Sequence, residues 1–199
     1  MDFELYKISR EFSLEYGTIL GIIWLITFFT CMNGMMGGGA LLMLFGMGFM
    51  GISALMPFYL AWRYKQHLKP GDRVPMGIAW LFSALMFFYA SIIAGVGEYI
   101  YFQYIDKGRA MEYFMQFLSS PETEAQYKTI GASELLEQSK AALTELANLT
   151  PLDLTLNIFA NNLFIALLLS LPVAFVAHRK CHDIRLSVNE LNRHNNNPS

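Results

Sequence analysis

Met32-Asn33-Gly34-Met35-Met36-Gly37-Gly38-Gly39 interrupts a long apolar stretch, and its reading decides the fold. It lies inside 47 consecutive positions, Tyr16 to Trp62, that hold no Asp, Glu, Lys or Arg. A helix needs about 20 apolar residues to cross roughly 30 Å of hydrocarbon, so this gap is too long for one span and suits two. Clustered glycines disfavour helix and supply turn conformations, which places the break here. The first span is therefore predicted over about 16–32 and the second over about 40–62.

Two further charge-free gaps follow, of 24 positions between Arg73 and Glu98 and 25 between Asp153 and Arg179. They predict spans over about 76–97 and 154–177. All four should be helices, because lipid offers no partner to an unpaired backbone group. Of the 199 residues 54% are hydrophobic and 15% charged, whereas soluble domains carry about 25% charged residues. That excludes a soluble globule, a disulfide scaffold and a nucleic-acid binder. The expectation is an all-α integral membrane protein: one membrane domain over 1–199, four transmembrane helices, a helical extracytoplasmic hairpin within 104–153 and a cytoplasmic tail over 178–199.

Orientation follows from Lys and Arg in the flanks. Lys7 and Arg10 precede the first span. Arg63, Lys65, Lys69 and Arg73 join the second to the third, and Arg179, Lys180, Arg185 and Arg193 follow the fourth. The other side has only Lys107, Arg109, Lys128 and Lys140, scattered through the long loop. Both termini are expected in the cytoplasm. Asp2, Glu4, Glu11 and Glu15 make the wrong start for a cleaved signal peptide. Leu5, Ile8 and Phe12 repeat at helical spacing, so this arm is expected along the cytoplasmic face as an amphipathic helix.

The long loop carries helix signals. Ser120-Pro121 reads as an N-cap with proline at the first helical position, and Gly131 as the stop. A second helix starts at Ser133, with Leu135, Ser139, Ala142, Leu143 and Leu146 on one face. Thr150 and Asp153 stand three apart as in a capping box ahead of the fourth span. Met111, Phe114, Met115 and Leu118 form another apolar stripe, after the aromatic cluster Tyr99, Tyr101, Phe102 and Tyr104. Interfacial helices with an aromatic belt account for these features, against the alternative of a docking surface for an extracytoplasmic partner.

Few residues invite chemistry. Glu98 closes the third gap; at the end of a span it reads as an interfacial carboxylate in water, or alternatively as a proton or cation site. Asn157 and Asn161 lie four apart on one helical face with Asn162 beside them, the pattern of amides that hydrogen-bond across helices. A polar conduit is the other reading. Met43, Met47 and Met50 share a face and would suit Cu(I), but methionine also packs adaptably. His178, Cys181 and His182 have ligand-like spacing within a basic flank whose expected role is orientation. No nucleophile has a histidine within any span to serve as base. No metal and no cofactor are expected. Ser13, Gly17 and Gly21 repeat every four residues, a ridge of small side chains that permits close helix packing, within the bundle rather than between copies.

The order Arg63-Tyr64-Lys65, then Gly71, then an apolar span ending Glu98-Tyr99-Ile100-Tyr101-Phe102-Gln103-Tyr104-Ile105-Asp106, resembles the small bacterial membrane proteins of domain-of-unknown-function family 4199. Those are similar in having four predicted spans, a long loop between the third and fourth, and a Tyr-rich ending with Ile-Asp. Members often continue with Pro, where Lys107 stands here. The resemblance implies a bacterial inner-membrane location and supplies no activity or catalytic residue.

The expected role is a non-enzymatic accessory or interaction component of that membrane. Its expected partners are the lipid bilayer and another membrane protein or a second copy of the chain, not nucleic acid. The alternative is a small transporter or channel component using Glu98 and the span-four asparagines; a membrane enzyme ranks third.

Overall fold

The computed structural model describes residues 3–68 and 74–178. Helix α1 runs over Phe3–Met35, α2 over Gly39–Gln66 and α3 over Met76–Ile100. A π-helical segment, Tyr101–Asp106, extends α3. Three short helices follow, α4 (Arg109–Leu118), α5 (Pro121–Thr129) and α6 (Ser133–Ala147), before α7 (Pro151–His178). The described residues contain no strand. Helices α1, α2, α3 with its π segment, and α7 are long and apolar enough to cross a membrane. The protein is an all-α membrane protein with four spanning helices and a helical connector before the fourth.

The glycine run is a turn, as its composition requires. Gly37 and Gly39 take φ of 99° and 86°, values open to glycine at no steric cost, and α2 starts at once. Around the bundle α1 neighbours α2 and α3, and α7 neighbours α3 and α2, so α1 and α7 face each other diagonally. The α2–α7 seam is the loosest of the four.

The N-terminal arm departs from expectation. Rather than lying along a membrane face, it continues α1 without a break, making one helix of 33 residues. Leu5 and Phe12 pack on the core, and Ser9 is buried, its hydroxyl 2.6 Å from that of Tyr64. Tyr64 in turn stacks on Phe82 with ring centroids 4.1 Å apart. These contacts hold the arm upright against α2 and α3.

Ser13, Gly17 and Gly21 face α3. A Cβ on Gly17 would stand 2.7 Å from the Met86 carbonyl oxygen, and one on Gly21 would be 3.0 Å from that of Ala90. The Ser13 hydroxyl donates to the Phe82 carbonyl at 3.0 Å. Only small side chains allow backbones this close.

At the connector end, Tyr101 and Phe102 are buried with Leu154 in a second core, packed by Phe28, Phe29 and Met111. An aromatic belt is therefore not what these two form. Tyr104, 65% exposed, does face outward. The π segment closes through Lys107 N–H to the Phe102 carbonyl, and Lys107 takes φ of 52°. Proline, with φ fixed near −65°, does not fit that conformation, so the chain's departure from the Ile-Asp-Pro pattern has a local geometric counterpart. Asp106, 1% exposed, accepts from the backbone N–H of Gly108 and of Ala110 and starts α4.

Ser120 caps α5 by accepting from the Thr123 N–H. Thr150 accepts from the Asp153 N–H, while its hydroxyl donates to the Asp153 carboxylate at 2.6 Å. On α6 the buried leucine is Leu136; Leu135 is 55% exposed and leaves the apolar stripe. The rest of that stripe, with Phe114, Phe117 and Leu118, lines an apolar cavity of about 660 Å³ over the glycine turn.

Candidate functional site

Glu98 does not end its helix. No charge interrupts the residues after it, and Ile100 to Ile105 carry the helix on to Asp106. The carboxylate points into the bundle and is 5% exposed. The interfacial, water-bathed placement expected from the charge gap is therefore corrected. Its Oε2 is sealed from solvent and has no hydrogen-bond partner among the described residues. Buried carboxylates are costly unless paired, which makes an unpartnered one the first place to look for function.

Glu98 lines a lateral cleft of about 310 Å³ in the α2–α7 seam. Trp24, Thr27, Phe28 and Cys31 of α1 form one wall, Met50 and Ser53 of α2 the second, and Asn162, Ile165, Ala166 and Leu169 of α7 the third. Thr27 is already engaged, donating to the carbonyl of Ile23 at 2.8 Å. Trp24 is fixed by stacking on Phe87 at 6.1 Å, and Phe28 by an edge contact with Tyr101 at 5.2 Å. Next to Glu98, Gly97 leaves room for the Leu25 side chain, so α1 closes the back of the cleft. Met50, Ile165 and Leu169 are 57%, 52% and 44% exposed, which puts the mouth on the bundle's flank.

The span-four amides divide. Asn162 joins Glu98 in the cleft. Asn157 and Asn161 are exposed, and the Asn161 amide donates to the Asn157 side-chain oxygen at 3.2 Å. Among the described residues they make no bond across helices, the role expected of such amides. Helical spacing puts them opposite Ala166, Val173 and Ala177, the buried face of α7. Phe164, Leu168 and Phe175, 65%, 58% and 58% exposed, continue the same outward stripe.

Other candidates from the sequence lie elsewhere. Met43, Met47 and Met50 are 49%, 61% and 57% exposed on α2, so they form no core packing. His178 places Nδ1 2.6 Å from the Val74 carbonyl, tying the end of α7 to the start of α3. Cys181 and His182 fall outside the described residues, as does Gly71. Among the described residues no three His, Cys, Asp or Glu gather as a metal site.

Sequence reasoning missed the burial of Glu98 and the participation of Cys31 and Ser53. The available signal was the run Tyr99 to Ile105, too long without charge to be a helix end.

No curated protein and no solved structure matches the chain. A family model does, described as a protein of unknown function (DUF4199) and matching residues 15–179, a range that holds most of the first span and the whole of the other three. With most of its length matched and four membrane helices in place, the chain belongs to that family.

Proposed function

We propose that this protein is a non-enzymatic interaction component of the bacterial cytoplasmic membrane, both termini in the cytoplasm, that engages a neighbouring membrane helix through the outward face of α7. One observation carries the reading: Asn157 and Asn161 stand on the exposed face, bonded to each other. Each amide has two donors and an acceptor with two lone pairs, so a single bond leaves most of that capacity directed outward. Polar groups in hydrocarbon favour a partner helix, each bond contributing about 0.6–2 kcal/mol. The Lys and Arg asymmetry supports the orientation.

Site-specific photo-crosslinking in native membranes tests this. A crosslinker at Phe164 should give a discrete adduct that Asn157→Leu with Asn161→Leu abolishes, whereas one at Ala166 should give none. An adduct at Phe164 that survives the double substitution sinks the reading. Reporter fusions after residue 178 and within 119–132 test the orientation. The former should be active only in the cytoplasm and the latter only outside.

Transport through Glu98 and the span-four amides is the second reading, favoured by the sealed, unpartnered Oε2. Of the three asparagines only Asn162 shares that cleft, which supports binding at a pocket more than a continuous polar path.

A further inference from the structure

We propose that the α2–α7 cleft is a binding site for a lipophilic organic cation: an ammonium or phosphonium centre carried on an apolar body of about one aromatic ring. The site lies on a different flank of α7 from the Asn157–Asn161 face and is independent of what that face binds.

Three observations converge. The first is charge. Glu98 is 5% exposed, and among the described residues its Oε2 has no donor and no Lys, Arg or His lines the cleft. A carboxyl group in such a place either holds a proton or, if charged, needs a cation from outside, and a bound cation takes the place of that proton.

The second is the lining. A small hard cation wants a shell of several oxygens at short, fixed distances. Here oxygens come from Thr27, Ser53, Glu98 and Asn162, with the Thr27 hydroxyl already engaged, while Trp24, Phe28, Met50, Ile165, Ala166 and Leu169 make the larger part of the lining apolar. Aromatic faces attract organic cations through the ring quadrupole, most strongly where water is excluded. The volume of about 310 Å³ lies at the small end of the range for organic-ligand pockets. It is roughly ten times the share of one water molecule.

The third is access. The exposed rim of Met50, Ile165 and Leu169 is apolar and opens sideways from a spanning bundle. A hydrated inorganic ion does not approach through hydrocarbon, but a cation with an apolar body partitions into a membrane and enters by that route.

The same chemistry is presented by a free amphiphilic amine and by the choline headgroup of a lipid, and the experiment separates them. The full chain, purified in dodecyl maltoside, is titrated with benzyltrimethylammonium by isothermal calorimetry. Saturable binding with one site per chain is expected. Glu98→Gln, which keeps the shape and removes the charge, should weaken it at least tenfold with helical content and elution volume unchanged. Neopentylbenzene, the uncharged isostere, should not displace the cation. Equal affinity in Glu98→Gln, or displacement by the neutral isostere, overturns the proposal. If Glu98→Gln does not fold, Met50→Trp at the exposed rim is read instead: it should block binding, and undiminished binding overturns the site. Added phosphatidylcholine that competes marks a lipid headgroup as occupant, and failure to compete marks a free cation; both results support the cation chemistry.

Discussion

The Ser13 hydroxyl on α1 meets the Phe82 carbonyl on α3 at 3.0 Å, across a sequence separation of 69. Gly17 against Met86 and Gly21 against Ala90 repeat that separation one turn at a time. The two helices are therefore parallel and in register. Their spacing is set by three residues too small to hold them apart.

Gly17→Ala should loosen this seam. A Cβ there would stand 2.7 Å from the Met86 carbonyl, a backbone atom that cannot swing away. Overpacking of this kind costs about 1–3 kcal/mol. Gly48→Ala, with nothing within 4 Å, should instead be neutral or stabilising by up to about 1 kcal/mol through helix propensity. Thermal unfolding in detergent compares the pair; equal effects would contradict the seam.

Tyr64→Phe removes the 2.6 Å hydroxyl contact with Ser9 and keeps the ring on Phe82. A loss of about 0.5–1.5 kcal/mol is expected. Hydrogen exchange should rise first in residues 5–12, because that contact helps hold the arm against α2. Uniform destabilisation without local opening would argue against the upright arm.

Asp106→Ala should fray α4. It deletes the acceptor for the N–H groups of Gly108 and Ala110, a change of about 0.5–2 kcal/mol by analogy with other helix caps. Lys107→Pro should do the same by forbidding φ of 52°. Exchange rates over residues 107–118 report both variants, and unchanged protection in either would refute the local geometry.

The α5–α6 contact carries a pH and salt dependence. Lys140 lies 2.9 Å from Glu124, and this hydrogen bond holds the carboxyl below its usual range and the ammonium above its own. A lowered carboxylate value means support that is present at neutral pH and lost as pH falls through the folded-state value. The raised ammonium value means support that lasts until pH climbs through that higher value. Both groups are at the surface, so the effect is small and salt should reduce it. Exchange in residues 121–147 should quicken below the carboxylate range and in high salt, and Lys140→Met should remove both responses.

How far the sequence could be read depended on what each signal measures. Charge gaps and the Gly37-Gly38-Gly39 turn report solvent class and chain reversal, and these specify four helices without knowledge of their neighbours. The Ser13, Gly17, Gly21 spacing identifies a close-packing ridge, though only the structure shows that α3 fills it. Glu98 was harder to place, because in a hydropathy profile a carboxylate marks a boundary, and the same residue buried inside a bundle leaves an identical trace. Tyr101 has an apolar ring with a polar tip and Phe102 a plain aromatic ring, and in a sequence such a cluster reads as readily as an interface as a core. For Asn157 and Asn161, helical periodicity puts both on one face. Which way that face points depends on where α3 and α2 sit, information held in tertiary packing alone.

The parallel pairing of α1 with α3 has a consequence during synthesis. The groove on α1 is filled not by α2, which follows it directly, but by a segment 69 residues further along. At about 5–20 residues per second the ribosome needs roughly 3–14 s to deliver it. Through that interval a newly inserted α1 presents an unfilled seam to its surroundings, and α3 from a neighbouring copy fits it as well as its own. Crowded translation on one message would then favour exchanged pairs, so expression rate as well as sequence bears on whether this bundle closes on itself.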